Sequence, residues 1–82
     1  MTDLIHIGVH SVGLDDLSRK QQRDPETVLA VLRLEKCFSV FDATATRTIA
    51  KTMDALIDSG RITTVTGQYP WTYVTHIDGV EI

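Results

Sequence analysis

The sequence is sparing with the residues that staple, kink or line active sites. Its 82 residues include one cysteine, Cys37, and two prolines. A lone cysteine closes no internal disulfide, so a domain this small relies on packing or on a partner subunit, and a reducing, cytoplasmic setting is expected. The glycines, Gly8, Gly13, Gly60, Gly67 and Gly79, stand apart and form no phosphate-cradling loop. No apolar run is long enough to span a bilayer, which excludes membrane insertion by a helix. The opening Met-Thr-Asp-Leu-Ile-His lacks the basic start and uninterrupted apolar stretch of a secretory signal. A basic excess is missing as well: the formal net charge is -3, which counts against strong non-specific attraction to nucleic acid.

Catalytic constellations are equally scarce. No carboxylates are paired at recognisable spacing, and no nucleophile has a neighbouring base. His6 and His10, four strand steps apart, would sit about 13 Å from one another, too far for a joint metal site. Cys37 beside Phe38 reads as a small buried apolar residue, and Asp15-Asp16 lacks the alternating ligands of a calcium loop. A binding module is expected, not an enzyme, with no metal or cofactor.

The chain does have the means to fold. Hydrophobic residues make up 43% and charged residues 23%, the balance of a globular protein, and the length fits one domain over residues 1–82. Ile5, Ile7 and Val9 alternate with His6, Gly8 and His10, predicting an N-terminal strand over 4–12. Leu14 to Gln22 is expected to form a short helix. Asp24-Pro25-Glu26 is a helix-start signal, with a capping carboxylate, a proline suited to the first turn and an acid at the positive dipole end. It opens a helix to about Lys36 that buries Val28, Leu29, Val31 and Leu32, with Leu34 a further candidate for the core. Residues 37–41 are ambiguous between strand, helical turn and buried connector, and are read as a connector. A long helix over 44–59 follows, capped by Asp42 or Thr44, with Ala45, Ile49, Met53, Leu56 and Ile57 at helical spacing and Gly60 at the left-handed C-cap. Arg61–Thr66 and Trp71–Ile77 should pair as a hairpin around the turn Gly67–Pro70.

The stretch Thr44 to Ile62, with its small-polar start and its Leu56, Gly60 and Ile62 ending, is similar to the recognition helix and following turn of winged helix-turn-helix regulators. Tyr69 to Thr75 looks like the wing and return strand. The resemblance implies an α+β, winged-helix-like fold of three helices followed by a C-terminal β-hairpin, with the N-terminal strand in addition. The helix before the recognition helix is either a degenerate turn within 37–41 or helix Pro25–Lys36, with Leu14–Gln22 as helix one; the second assignment is preferred.

The same resemblance places a DNA-reading surface at Thr44, Thr46, Arg47, Thr48 and Lys51, where Thr46, Arg47 and Lys51 lie opposite Ile49, Met53 and Leu56 on a helical wheel. At the wing, Gln68 and Tyr69 are candidate contacts and Arg61 a candidate phosphate ligand. Arg19, Lys20 and Arg23 are candidate auxiliary contacts. Charge distribution supports this grouping: residues 17–51 carry seven bases (Arg19, Lys20, Arg23, Arg33, Lys36, Arg47, Lys51) against four acids (Asp24, Glu26, Glu35, Asp42). The expected function is a small transcription regulator of phage, plasmid or similar mobile-element type, binding double-stranded DNA as a homodimer because one module offers too few contacts. The competing expectation is a protein-interaction module, an adaptor, subunit or inhibitor, in which Trp71, Tyr69 and Phe41 meet a protein partner.

Overall fold

Helix starts in this chain are written in hydroxyl and carboxylate caps. The computed structural model describes residues 13–82; the strand expected over 4–12 and the histidines His6 and His10 lie outside the described residues. A 3₁₀ turn, Leu14–Asp16, comes first. Ser18 then caps α1 (Arg19–Arg23), its side chain accepting from the Gln21 N–H while the Gln21 side chain accepts from the Ser18 N–H. The single helix expected over 14–22 is therefore two short pieces separated by the extended Leu17, because only Leu14 and Leu17 supply apolar anchors there. α2 (Pro25–Glu35) begins where the sequence places it, with the Asp24 side chain accepting from the Glu26 N–H. It ends at Lys36, a non-glycine residue in the left-handed region with φ 61.

The connector expected over 37–41 is instead a strand and a helix start. β1 (Cys37–Ser39) pairs antiparallel with Trp71–Tyr73, and α3 (Val40–Ala43) follows directly, capped by the Ser39 side chain. α4 (Arg47–Asp58) starts three residues later than expected. Its cap is Thr46, not Asp42 or Thr44, and the Thr44 hydroxyl donates back to the Val40 carbonyl of α3. Among the described residues four α-helices replace the three helices expected, and α3, not α2, is the helix immediately before α4. Gly60 holds the left-handed position past α4 with φ 78, as its place in the sequence predicts.

β2 (Ile62–Thr66) and β3 (Trp71–Ile77) form the hairpin, and β4 (Val80–Glu81) turns back onto the end of β3. β3 is the middle of the sheet, with β2 along one side and β1 and β4 sharing the other. The register slips between Thr63 and Thr64, which face His76 and Val74 and leave Thr75 unmatched. That bulge lets Val74 and Ile77, an odd number of positions apart, both face inward, which a regular two-residue alternation forbids.

One core joins the layers. Val28, Leu29, Val31 and Leu32 of α2, Ile49, Met53 and Leu56 of α4, and Phe38, Ile62, Val74 and Ile77 of the sheet are all buried in it. Leu34 and Ile57 point outward, at 61% and 44% exposure, and Ala45 is exposed because it precedes α4. The architecture is a small α+β domain with helices on one face of an antiparallel sheet. Among the described residues no helix is long and apolar enough to cross a membrane.

Candidate nucleic-acid interface

α4 is fixed by what it buries. Ile49, Met53 and Leu56 recur every three to four residues and pack inward, so positions about half a turn away face solvent. Arg47 and Lys51 occupy those positions and are exposed. Neither makes an ion pair with another described residue. Asp54 and Asp58, also exposed, continue the same face toward the C-terminus, so the cationic part of α4 is its first two turns.

The threonines at the helix start do different work from that expected. Thr46 is half-buried: its hydroxyl oxygen accepts from the Ile49 N–H at 3.1 Å as the N-cap, and its hydroxyl donates to Gln22 Oε1. Gln22 is 3% exposed and donates through Nε2 to the Leu17 carbonyl at 2.9 Å. Thr52 adds a bond to the Gln22 carbonyl at 2.6 Å. Thr46 is therefore a positioning residue that sets α4 against α1, not a side chain free to read bases. Thr44 is exposed but spends its hydroxyl on Val40, and Thr48 is half-buried. Gln22 escaped the sequence reading because a glutamine in a polar run carries no burial signal of its own; only the helix docked against it reveals the role.

The Gln22 contacts bring α1 beside α4, and with it the basic cluster. Arg19, Lys20 and Arg23 are exposed. Arg23 and Lys51 line a common groove of about 370 Å³ with Pro25, Thr52, Ala55 and Ser59. Arg61 also borders that groove but is committed elsewhere. Its Nε and Nη2 donate to the two Asp78 carboxylate oxygens at 2.8 and 2.9 Å, and Nη1 donates to Glu26 Oε2 at 2.9 Å. These bonds raise the guanidinium pKa further and lower that of the Asp78 carboxyl below its ordinary value. The expectation of Arg61 as a phosphate ligand is corrected accordingly: three of its five N–H donors are held by two carboxylates, which offset its charge.

At the hairpin tip, Gln68 and Tyr69 are exposed. Tyr69 packs edge-to-face on Phe41 of α3, with ring centroids 5.8 Å apart. The tip carries no cation. Cys37, half-buried opposite Tyr73, has its thiol pKa raised first by burial and then by Glu35, the reverse of an activated nucleophile.

Comparison of the chain with protein-family models, curated proteins and solved structures returned no match.

Proposed function

We propose that this domain is a small DNA-binding regulator of winged-helix type that presents the first two turns of α4 to duplex DNA. The observation that carries the reading is the pair Arg47 and Lys51, exposed on the side of α4 away from its buried stripe, with Arg23 of α1 lining one groove with Lys51. The order of elements supports it: helix, short strand, short helix, long helix and hairpin, with the short strand hydrogen-bonded to the last strand of the hairpin. In this reading α2, α3 and α4 are the three helices of the motif, α4 is the recognition helix and β2–β3 is the wing. Arg47 and Lys51 meet phosphates and base edges, Thr48 and Gln68 add polar contacts, and Arg19, Lys20 and Arg23 hold backbone phosphates. The acids Asp54 and Asp58 restrict contact to the N-terminal end of α4, which fits a helix inserted end-on into a groove.

The test is the double variant Arg47→Ala, Lys51→Ala, titrated against random-sequence duplex DNA by fluorescence anisotropy over a salt series. Loss of two phosphate contacts should weaken binding at every sequence and flatten the dependence of log K on log salt by about 2. Binding with an unchanged salt slope in a folded double variant would remove α4 from the interface.

A second reading, a protein-interaction module, is favoured by a different observation, the exposure of Phe41, Tyr69, Trp71 and Tyr73. Failure of the parent protein to be retained on duplex DNA at low salt would select it.

A further inference from the structure

We propose that the outer face of the sheet is a two-fold interface with a second copy of this chain. Strand alternation puts Val74 into the core, where the bulge also brings Ile77, and leaves Trp71 and Tyr73 on the opposite face, where Val65 of β2 sits directly across from Tyr73. Exposure there is large for apolar groups: 44% for Trp71, 47% for Tyr73 and 50% for Val65. The Tyr73 ring lies over Gly67, where a side-chain carbon would overlap it, which links the face to the turn. Within the turn, Tyr69 packs on Phe41, and both rings are exposed, Phe41 at 61% and Tyr69 at 73%. With Trp71 and Tyr73 these are all the aromatic residues of the chain except the buried Phe38.

Three features point to a second copy as the occupant. The first is area. Four aromatic side chains of roughly 200 Å² each, more than half exposed on average, offer about 450 Å² per copy. With Val65 and the surrounding threonines, two such patches bury about 1,000 Å², the size at which a specific interface becomes credible. The second is charge. Symmetry sets this patch against itself, so a patch bearing one sign of charge repels its copy, whereas Phe41, Val65, Tyr69, Trp71 and Tyr73 are all uncharged in a chain whose net charge is -3. The third is the edge. Among the described residues β2 is paired on one side only, and its Ile-Thr-Thr-Val-Thr has none of the charges or prolines that commonly block edge pairing.

This face lies across the core from Arg47 and Lys51, because α4 packs its buried stripe against the inner side of the same sheet. A dimer formed here leaves both α4 surfaces free. It supplies the second half-site that the DNA reading calls for, yet it stands on separate observations. Glu35 and Asp42 border Trp71 in an acidic cavity of about 470 Å³, so the rim of the interface repels at low ionic strength. Salt therefore strengthens self-association while it weakens DNA binding.

The experiment is sedimentation equilibrium of the full chain without DNA, from about 1 to about 500 µM, the weak end of the affinities such an area supports. It is paired with emission from Trp71, the only tryptophan. The expected result is a reversible monomer–dimer equilibrium, tightened by salt, with Trp71 emission shifting to the blue as dimer forms. Trp71→Glu should abolish it, and Val65→Lys, an exposed strand position that tolerates lysine, should do the same with the far-ultraviolet circular dichroism retained. Arg47→Ala, Lys51→Ala should dimerise as the parent does, which separates this result from the DNA reading. A monomer throughout, a dimer unaffected by Val65→Lys, or blue emission independent of concentration, as when residues 1–12 of the same chain cover the ring, would overturn the proposal.

Discussion

A single hydroxyl shows how closely folding and recognition are interleaved at the start of α4. Thr46 accepts from the Ile49 N–H and donates to the buried Gln22 side chain. Thr46→Ala removes a cap, at about 1 kcal/mol, and leaves the Gln22 oxygen without a donor, which costs about 1–3 kcal/mol more where that group stays buried. Urea unfolding should show a loss of about 2 kcal/mol or more, with DNA affinity per folded molecule unchanged. A variant as stable as the parent but weaker on DNA would return Thr46 to the contact surface. Among single residues, the sequence made legible those whose partners are near in the chain. Asp24, Pro25 and Gly60 act through backbone within a few positions and stand where expected. Thr46 and Gln22 are 24 positions apart, and the choice of Thr46 over Thr44 as cap is settled by that contact, which no local pattern announces.

Elements followed the same rule of reach. α2, α4 and the hairpin each have enough residues to display a period or a turn signal. β1 and α3, of 3 and 4 residues, are shorter than one clear repeat of either pattern, and the strand partner of Cys37 is Tyr73. The junction between α2 and β1 shows the strain this shortness imposes. Lys36 takes a left-handed conformation so that its carbonyl can accept from the Val74 N–H at 2.9 Å, with no residue to spare for a looser turn. Lys36→Gly should therefore stabilise the domain by about 0.5–1 kcal/mol, the strain relieved outweighing the added freedom of the unfolded chain. The check is a rise in the urea midpoint at constant m-value. A fall would show that the lysine side chain contributes contacts exceeding its strain.

Across the whole molecule, Arg61 ties the start of α2 to the end of β3 through Glu26 and Asp78. Hydrogen bonding to Arg61 lowers the Asp78 pKa in the folded state, so the folded form binds the proton less readily than the unfolded one. The resulting stability is complete above the unfolded carboxylate range near pH 4 and disappears as pH falls through the lower, folded value. Asp78→Asn keeps a residue that tolerates its positive φ of 53, so the substitution isolates the charge. The variant should melt below the parent at neutral pH, with the two curves converging in acid. A constant gap between them from pH 7 to about pH 2 would assign the difference to shape instead. At this scale the sequence concealed most: it identified Arg61 as a cation available to phosphate, and only the folded chain reveals the carboxylates that occupy it.

The placement of β3 at the centre of the sheet also has a consequence for biosynthesis. β1 is made well before its hydrogen-bonding partner, Trp71–Tyr73. While translation proceeds, α2 and α4 can coil, but Phe38 has no strand to lie beside until the hairpin has left the ribosome tunnel. The nascent domain stays open until β3 has emerged, and a chain cut short before Trp71 would expose its core to chaperones and proteases instead of closing as a smaller version of the fold.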